Sequence, residues 1–165
     1  MAGHNVLRMK DLAGLFEAAG CTRVRTYIQS GNVVFQADRA VASRLPERIA
    51  ARIAEQHGYR TTAVLRTREE LARVCGNNPF AGGDDKFFHV VFLPGEPAAA
   101  KVAALDPDRS PPDQFAVRGR EIYLQLPAGV GHSKLTPAYF DSRLGMTGMA
   151  RNWRTVERLH AMASE

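Results

Sequence analysis

Apolar and polar residues alternate along the chain with two different periods, and these predict a mixed helix and strand protein. Residues 9–19 and 41–57 place apolar side chains three or four positions apart, the spacing of a helix with one buried face, and a glycine closes each run. Between them, residues 24–35 alternate with a period of two around the Gly-Asn pair at 31–32, which favours a β-hairpin with a two-residue type II′ turn. A further β-like run at 59–65 gives the order helix, strand, strand, helix, strand.

The second half repeats this pattern with one more strand at its start. Thr67 and Glu70 have the spacing of a capping box, which predicts a short helix ending near residue 75. Residues 87–93 are apolar on both faces, as is typical of a strand in the middle of a sheet. The predicted elements that follow are a helix at 97–105, strands at 115–118 and 121–126 around Gly119, a helix begun by Thr136-Pro137 and ended by Gly145, a strand near 147–151, and a last helix at 153–163 capped by Asn152.

The order of these elements predicts an α+β protein of two ferredoxin-like (βαββαβ) halves. The predicted domains are residues 1–66, a connecting helix and loop at 67–86, and residues 87–165 with the additional C-terminal helix. The first half lacks its opening strand, which in this topology lies inside the sheet, between the third and fourth strands. Three explanations stay open: an upstream strand in a longer, untruncated chain, a contribution from residues 1–7 and the other domain, or a second copy of the chain in a homodimer.

Composition narrows the class of protein. The chain has 22 basic and 17 acidic residues and a formal net charge of +5, which permits attraction to nucleic acid but is also ordinary for an arginine-rich surface. No apolar run reaches the roughly 18 residues that span a bilayer, and a signal-peptide pattern is absent, so we expect a cytoplasmic protein without a membrane partner. Cys21 and Cys75 imply no disulfide framework. The five histidines show no metal-ligand spacing, and we expect neither a metal nor a cofactor.

Two segments of the second half are candidate anion sites. The run Gly129-Val-Gly-His-Ser-Lys134 precedes a predicted helix, where backbone N–H groups and the lysine can cradle an anion, although its spacing is not that of a Walker A loop. A hairpin-to-helix connection that needs glycine is the structural alternative. Arg151 can clamp a phosphate or carboxylate, with Trp153 as a stacking surface. The alternative there is that Asn152 caps the last helix and Trp153 anchors the core.

The first hairpin carries a candidate ligand face. Arg25, Tyr27 and Gln29 alternate on one strand with Asn32 at the turn, while Ile28 is expected on the opposite, core-facing side. Open ferredoxin-like sheets bind RNA through aromatic residues on such a face, but the RNA-recognition octapeptide is absent. The alternative is that the polar faces of the two sheets pack on each other or on loops. The corresponding residues of the second half are Glu121, Tyr123 and Gln125.

Several motifs together resemble the bacterial family known as domain of unknown function 1697. The resemblance implies two ferredoxin-like halves in one molecule and no assigned activity. Members of the family usually open with an apolar strand and a Gly-Ile-Asn-Val-Gly-Gly type of loop, of which only Gly3-His-Asn5 stands here. The motifs, in the family's order, are Arg25-Thr-Tyr-Ile-Gln-Ser-Gly-Asn-Val-Val-Phe35, Asn78-Pro-Phe80, Gly119-Arg-Glu-Ile-Tyr123, Gly129-Val-Gly-His-Ser-Lys-Leu135 and Ala150-Arg-Asn-Trp-Arg-Thr155.

Three functions are compatible with this sequence. The leading hypothesis is the binding of an anionic ligand, namely a nucleotide, a phosphate-bearing metabolite or a nucleic acid. The second is a small enzyme that uses Ser133, Lys134 and Arg151, with Tyr27, in a cleft between the halves. The sequence does not assign a catalytic role to any of these residues. The third is a module that docks another protein through its polar sheet faces. The candidate ligand-binding residues are Arg25, Tyr27, Gln29, Asn32, Ser133, Lys134, Arg151 and Trp153.

Overall fold

The computed structural model describes residues 7–28, 31–80 and 82–165, and their contacts divide the chain into two compact units. The first unit extends to Leu65 and includes Met162–Glu165, while the second is Arg66–Ala161. The segment 67–86, expected as a connection, therefore groups with the second unit. The elements are α1 (Met9–Ala18), β1 (Thr22–Tyr27), β2 (Asn32–Gln36), α2 (Arg39–His57), α3 (Arg68–Gly76), β3 (Phe88–Phe92), α4 (Ala99–Ala103), β4 (Gln114–Arg118), β5 (Glu121–Gln125), α5 (Pro137–Leu144), β6 (Met149–Asn152) and α6 (Trp153–Ala163), with short 3-10 turns at Asp85–Phe87 and Val130–His132.

The first hairpin forms, but its turn is longer than predicted. Tyr27 lies opposite Asn32 in the ladder, so the connection covers 28–31 instead of two residues. Asn32 is buried, and its Nδ2 atom donates to the carbonyl of Tyr27 at 3.2 Å, which places it in the strand and not at a turn tip. Ile28, which was expected on the core-facing side, instead leaves the ladder with 54% of its surface exposed and a φ of 48°. The position of Gln29 lies outside the described residues.

Helices α1 and α2 pack on one face of this hairpin, as the two helical stripes predict. Phe16 of α1 meets Phe35 of β2 with ring centroids 5.1 Å apart, and Val24 and Val33 pack against the same core. These three strand residues therefore share the core-facing side of the hairpin, and Arg25 and Val34 pair on the other side. The buried members of this core are Leu12, Leu15, Phe16, Ala19, Cys21, Leu45, Ile49 and Ile53.

The strand predicted at 59–65 is wrong, because these residues are not regular β-structure. In the predicted topology this strand pairs only with the opening strand, and an extended segment becomes a strand only through its ladder partner. The apolar pattern alone was therefore not sufficient. The contribution expected from residues 1–7 lies outside the described residues except for Leu7, which packs against the first core.

In the second unit, four antiparallel strands form a sheet in the order β4-β5-β3-β6. The apolar strand β3 lies between β5 and β6, and four of its five residues are buried, which confirms its predicted central place. Val90 lies opposite Tyr123 on β5 and Arg151 on β6, so these three residues share one face of the sheet. Val91 and Ile122 mark the opposite face, since side chains alternate along a strand.

The Val91 face is covered by α4 and α5, and the predicted helix signals of α5 are confirmed. Thr136 Oγ1 accepts a hydrogen bond from the N–H of Tyr139, Pro137 is the first helical residue, and Gly145 ends the helix with a φ of 72°. Phe140 is fully buried at the centre of this core and packs edge-on against Phe115 at 5.6 Å. The other buried members are Val91, Leu93, Leu105, Ile122, Leu124, Leu126, Leu135, Tyr139 and Leu144.

The Tyr123 face, predicted as polar and partly aromatic, is covered as well. Tyr123 is only 2% exposed, and Val74 of α3 is buried beside it. Phe88 packs on the same face between Phe80 and Trp153, with centroid distances of 6.4 and 6.5 Å. This face is therefore an interior surface and not an open platform for nucleic acid.

The conformation of Ile28 leads to a prediction about stability. Ile28 has a positive φ, in the left-handed region of backbone conformation, which costs a β-branched residue about 1–2 kcal/mol. Asn adopts this conformation at a lower cost than Ile. We expect Ile28→Asn to raise the free energy of unfolding by about 1 kcal/mol in urea denaturation. Val130→Asn is the matched control, because Val130 is equally exposed, at 58%, and is not among the described residues with positive φ. Equal effects of the two substitutions would contradict the backbone explanation.

A second prediction concerns His89, whose Nδ1 atom is buried without a hydrogen-bond partner. Burial lowers the pKa of His89 below its ordinary value of 6.5. Below pH 6.5 the ring is therefore protonated in the unfolded chain at pH values where it is still neutral in the folded chain. Stability contributed by the neutral ring is therefore present above pH 6.5 and is lost as the pH falls from 6.5 through the lower folded value. We expect His89→Gln to flatten the loss of unfolding free energy between pH 7 and pH 5, measured by urea denaturation. The exposed His132→Gln is its control, and an equal flattening there would contradict the assignment.

Candidate functional site

The glycine-rich loop at 129–135 uses its amide groups internally. His132 N–H donates to the carbonyl of Gly129 and Ser133 N–H to that of Val130, both at 3.3 Å. Lys134 N–H donates to Ser110 Oγ at 3.0 Å, and Leu135 N–H donates to Ser133 Oγ at 3.0 Å. Four successive amides thus have protein acceptors, which is how a connecting loop is satisfied and not how an anion is cradled. The Ser133 hydroxyl, which the enzyme hypothesis uses, accepts a hydrogen bond within this turn.

Arg151 and Lys134 do not converge. The loop lies on the Val91 face of the sheet, the face covered by α4 and α5, because Leu135 packs with Ile122 in that core. Arg151 instead lies on the Tyr123 face, where burial lowers the pKa of its guanidinium and Nη1 donates to the carbonyl of Ala150 at 2.8 Å. A clamp made by both cations around one ligand is therefore not formed.

Trp153 follows the structural alternative. The side chain is 6% exposed and meets Phe88 edge-on, so it anchors the interior of the second unit and offers no ring to a ligand. Asn152 caps α6, since its Oδ1 atom accepts the N–H of Thr155 at 2.8 Å. The cap made by Asn152 and the core packing of Trp153 are the roles expected if residues 151–154 connect a strand to a helix.

The predicted residues of the first hairpin lie together but have structural partners. Arg25 forms an ion pair with Glu165 and donates to the carbonyl of Met162, all within the first unit. Tyr27 is half-buried and accepts the Asn32 side chain at its carbonyl. Their role in ligand binding stays a prediction.

A cavity of about 370 Å³ opens in the second unit, between α3 and the β4–β5 hairpin. This volume is within the range of small-molecule sites, about 300–1,000 Å³. Helix α3 and the residue that ends it line one side, the hairpin lines the other, and one residue comes from the turn after β3. The lining residues are Glu70, Arg73, Val74, Asn77, Glu96, Arg118, Gly119, Arg120, Glu121 and Tyr123.

A buried arginine holds one wall of this cavity in place. The Arg66 side chain is 5% exposed, and its Nε atom pairs with Glu121 Oε2 at 2.9 Å. Its Nη2 atom donates to the carbonyls of Leu93 and Arg120 at 2.8 and 2.9 Å, while its guanidinium lies 5.4 Å from the ring of Phe92. The buried charge therefore meets a carboxylate, two carbonyls and an aromatic ring, the kind of surroundings that a charge needs in a desolvated position.

The adjacent capping box completes the wall. As predicted, Thr67 Oγ1 accepts the N–H of Glu70, and Glu70 Oε1 accepts the N–H of Thr67, both at 3.1 Å. The other carboxylate oxygen of Glu70 pairs with Arg120 in the hairpin turn. Two of the three carboxylates that line the cavity are therefore neutralised by arginines.

The remaining cations of the lining face the opening. Arg118 is exposed, and its Nη1 atom donates to the carbonyl of Asn77 at 2.9 Å, which fixes the guanidinium over the end of α3. Arg73 is exposed in the last turn of α3, and no ion pair within the described residues involves Arg73, Arg118 or the third carboxylate, Glu96. Two guanidinium groups are therefore available to an incoming anion.

The floor of the cavity carries an unused polar group. Tyr123 is 2% exposed, yet within the described residues its hydroxyl has no hydrogen-bond partner. Burial, with the charge of Glu121 as a smaller cause, raises the pKa of Tyr123 to about 12, so the hydroxyl stays protonated and can donate. Within the described residues only His89 Nδ1 is a fully buried side-chain atom without a partner, so the Tyr123 hydroxyl keeps some contact with solvent. A ligand in the cavity that accepts its proton can replace water there.

Sequence reasoning found only part of this lining. The polar face of β5 was predicted, and so was the capping role of Glu70. The position of Arg118 could have been predicted, because it lies opposite Glu121 across the predicted Gly119 hairpin. Arg73 could also have been predicted, because it lies three residues after Glu70 and therefore on the same face of α3. The packing of α3 on this hairpin has no local signal, since Arg66 and Glu121 are 55 residues apart.

The described residues give two further observations. No helix among them has the length and apolar character needed to cross a membrane. In the same ranges, 7–28, 31–80 and 82–165, no group of three or more His, Cys, Asp or Glu side chains is arranged to hold a metal ion.

The buried ion pair leads to a prediction that tests the cavity wall. We expect Arg66→Met to lower the free energy of unfolding by about 3–5 kcal/mol, because it leaves the Glu121 carboxylate, whose side chain is only 17% exposed, without its arginine. The double variant Arg66→Met/Glu121→Gln recovers part of this loss, since the uncompensated charge is gone. Arg68→Met, which removes an exposed pair with Glu69, is the control and changes urea denaturation little. A single Arg66 substitution as mild as this control would show that the pair does not hold the wall.

Comparison with solved structures places this fold among known ones. The chain is similar to the conserved bacterial protein SP0830 from Streptococcus pneumoniae, with a TM-score of 0.71 over 98% of this chain and 91% of that one. The two sequences are 19% identical, so the likeness concerns the fold alone.

No curated protein matches the chain. A family model described as a protein of unknown function, DUF1697, matches residues 1–123, which is most of the sequence. The chain therefore belongs to the DUF1697 family, as its motifs indicated.

Proposed function

We propose that the protein binds a small anionic ligand in the cavity between α3 and the β4–β5 hairpin. The observation that carries this proposal is the combination of the Tyr123 hydroxyl, which has no hydrogen-bond partner within the described residues, with two arginines, Arg73 and Arg118, that form no ion pair in the same ranges. A pocket with a few convergent polar groups is the usual form of a small-molecule site.

The charges of the lining favour an anion over a cation. Glu70 and Glu121 are neutralised by Arg120 and Arg66, so they offer little attraction to a positive ligand. Guanidinium groups at the opening match the oxygen geometry of a carboxylate or a phosphate. The fixed position of Arg118 reduces the side-chain entropy that binding would otherwise remove.

The Tyr123 hydroxyl narrows the class of ligand. Because it donates from the floor, the ligand carries an acceptor, such as a carbonyl, hydroxyl or ring nitrogen, some distance from its anionic end. A nucleotide or a phosphate-bearing metabolite has both features, whereas inorganic phosphate has only the first. Nucleotides and phosphate-bearing metabolites are also the small ligands that the basic balance and motifs of the sequence favour.

Paired probes test the proposal by isothermal titration calorimetry. We expect AMP to bind more tightly than adenosine, and succinate more tightly than succinamide, because each pair differs in its anionic groups. Arg118→Gln lowers the affinity for AMP at least about tenfold, as expected for a lost charge-assisted hydrogen bond. Tyr123→Phe lowers it about 3- to 10-fold while unfolding free energy is unchanged or higher, since the hydroxyl has no protein partner to lose.

Lys134→Gln is the control, because it removes one exposed charge from the loop at 129–135 and leaves the cavity intact. A fall of AMP affinity in this variant and not in Arg118→Gln would move the site to the glycine-rich loop. Equal affinities for the charged and uncharged member of both pairs would overturn the proposal. A loss of stability in Tyr123→Phe would mean that the hydroxyl has a structural role.

We infer also that the two halves are ferredoxin-like. In the second unit, the order β4-β5-β3-β6 with antiparallel neighbours supports this, because the opening strand of that topology lies between the third and the fourth. In the first unit, the sequence α1, β1, β2, α2 follows the order of such a half after its opening strand.

A further inference from the structure

One carboxylate in the lining of the cavity has no partner among the described residues. Glu96 is exposed in the turn after β3 and lines the cavity together with Arg73 and Arg118. Its side chain forms neither an ion pair nor a hydrogen bond within the described ranges, whereas Glu70 and Glu121 each pair with an arginine. Glu96 is therefore an acceptor that is available to a ligand.

Glu96 and the two available arginines do not neutralise one another. Among residues 7–28, 31–80 and 82–165, no nitrogen of Arg73 or Arg118 lies within the 4.0 Å of an ion pair from the Glu96 carboxylate. The three side chains come from separate elements, namely α3, the end of β4 and the turn after β3. A ligand that reaches all three therefore carries an anionic group for the arginines and a hydrogen-bond donor for the carboxylate.

The backbone around Glu96 is held in place before a ligand binds. Leu93 N–H donates to the carbonyl of Arg120 at 2.9 Å, which joins the start of this turn to the β4–β5 turn. Pro97 follows Glu96 directly and is buried, and a proline restricts both its own backbone and that of the residue before it. A carboxylate on a fixed backbone loses less entropy on binding than one on a mobile loop.

The charges of the lining favour a neutral donor over a cationic one. An ammonium group attracted by Glu96 would also be repelled by Arg73, Arg118 and Arg120, which line the same cavity. A hydroxyl group is not repelled in this way. An ionised carboxylate accepts hydrogen bonds at two oxygens, so it can accept from two neighbouring hydroxyl groups at once.

From these observations we infer that Glu96 recognises a vicinal diol, and that the ligand of the cavity is a phosphate ester of ribose, such as a nucleoside monophosphate. The inference rests on the function proposed above and narrows its class of ligand. In this arrangement the phosphate meets Arg73 and Arg118, and the two ribose hydroxyls donate to Glu96. Glu96 is then the residue that separates ribose phosphates from other small anions.

A nucleotide series tests the role of the diol. The full chain is titrated by isothermal titration calorimetry with AMP, 2′-deoxy-AMP and 2′,3′-dideoxy-AMP, which share the base and the phosphate. We expect AMP to bind about 10- to 100-fold more tightly than the dideoxy compound, as two hydrogen bonds to a charged group predict, with the monodeoxy compound between them. Equal affinities for the three compounds would overturn the inference.

The sign of the effect of Glu96→Gln separates recognition from simple repulsion. If Glu96 accepts the hydroxyls, the variant binds AMP about tenfold more weakly, and its preference for AMP over 2′,3′-dideoxy-AMP shrinks. If Glu96 only repels the phosphate, the variant binds both nucleotides more tightly, which would overturn the inference. The unfolding free energy is expected to change little, because the side chain has no partner within the described residues.

Glu47→Gln is the matched control, because Glu47 is an exposed glutamate of α2 and does not line the cavity. We expect it to leave the preference for AMP over 2′,3′-dideoxy-AMP unchanged. An equal change of this preference in both variants would trace the effect to net charge and would overturn the inference.

A second pair of probes compares a diol with a cation. Glycerol 3-phosphate carries a vicinal diol beside its phosphate, and phosphoethanolamine carries an ammonium group instead. We expect glycerol 3-phosphate to bind more tightly, and the opposite order would assign Glu96 to a cationic group and overturn the inference.

Failure of this inference can be told apart from failure of the proposed function. AMP that binds more tightly than adenosine but no more tightly than 2′,3′-dideoxy-AMP, with both nucleotides weakened by Arg118→Gln, would retain the anion site and overturn only the role of Glu96. AMP that binds no more tightly than adenosine would overturn the anion site, and the inference about Glu96 with it.

Discussion

The burial of one charge, on Arg66, is the interaction on which the candidate site depends. A guanidinium removed from water is tolerated only when carboxylate and carbonyl acceptors surround it, and here they come from three separate places in the sequence: β5, the turn after β3 and the β4–β5 turn. Because Arg66 immediately precedes the N-cap of α3, these bonds fix where the helix starts. The cavity exists because α3 is held at this distance from the hairpin.

This network also explains why the polar face of the second sheet is not an open platform. In isolation the alternation of Glu121, Tyr123 and Gln125 is typical of a strand with one side in solvent. Here Glu121 pairs with Arg66, and Tyr123 is covered by α3, so these polar residues lie in the interior of the second unit. A buried polar network of this kind specifies one arrangement of helix on sheet more than it adds stability.

Those parts of the fold that depend on residues close together in the sequence could be predicted from it. The capping box at Thr67, the helix start at Thr136, the apolar strand β3 and the hairpin at Gly119 are local signals, and each is present in the structure. The first hairpin shows the limit of such signals. Its Gly-Asn pair favours a two-residue turn, but the burial of Asn32 and its bond to Tyr27 shift the register.

The candidate site was harder to predict, for a related reason. Two glycines followed by a lysine, as in the loop at 129–135, are typical of an anion-binding loop. In the structure, however, four amides of this loop donate to Ser110, to Ser133 and to two carbonyls of the loop itself. The cavity, in contrast, combines α3 with a hairpin more than 40 residues further along the chain, as the bond from Arg118 to Asn77 illustrates with a separation of 41 residues. Sequence periodicity reports which face of an element is buried, but it carries no information on which distant element covers that face.

The two bonds of the Glu70 carboxylate have a consequence for the order in which the second unit folds. One oxygen caps α3, and the other pairs with Arg120 of the hairpin turn. A helix of nine residues is too short to persist by itself in water, so α3 gains its stability only on contact with a hairpin that already exists. The hairpin, whose contacts are local, is therefore expected to be formed in the folding transition state before α3 docks, and early opening of the native protein should begin with α3.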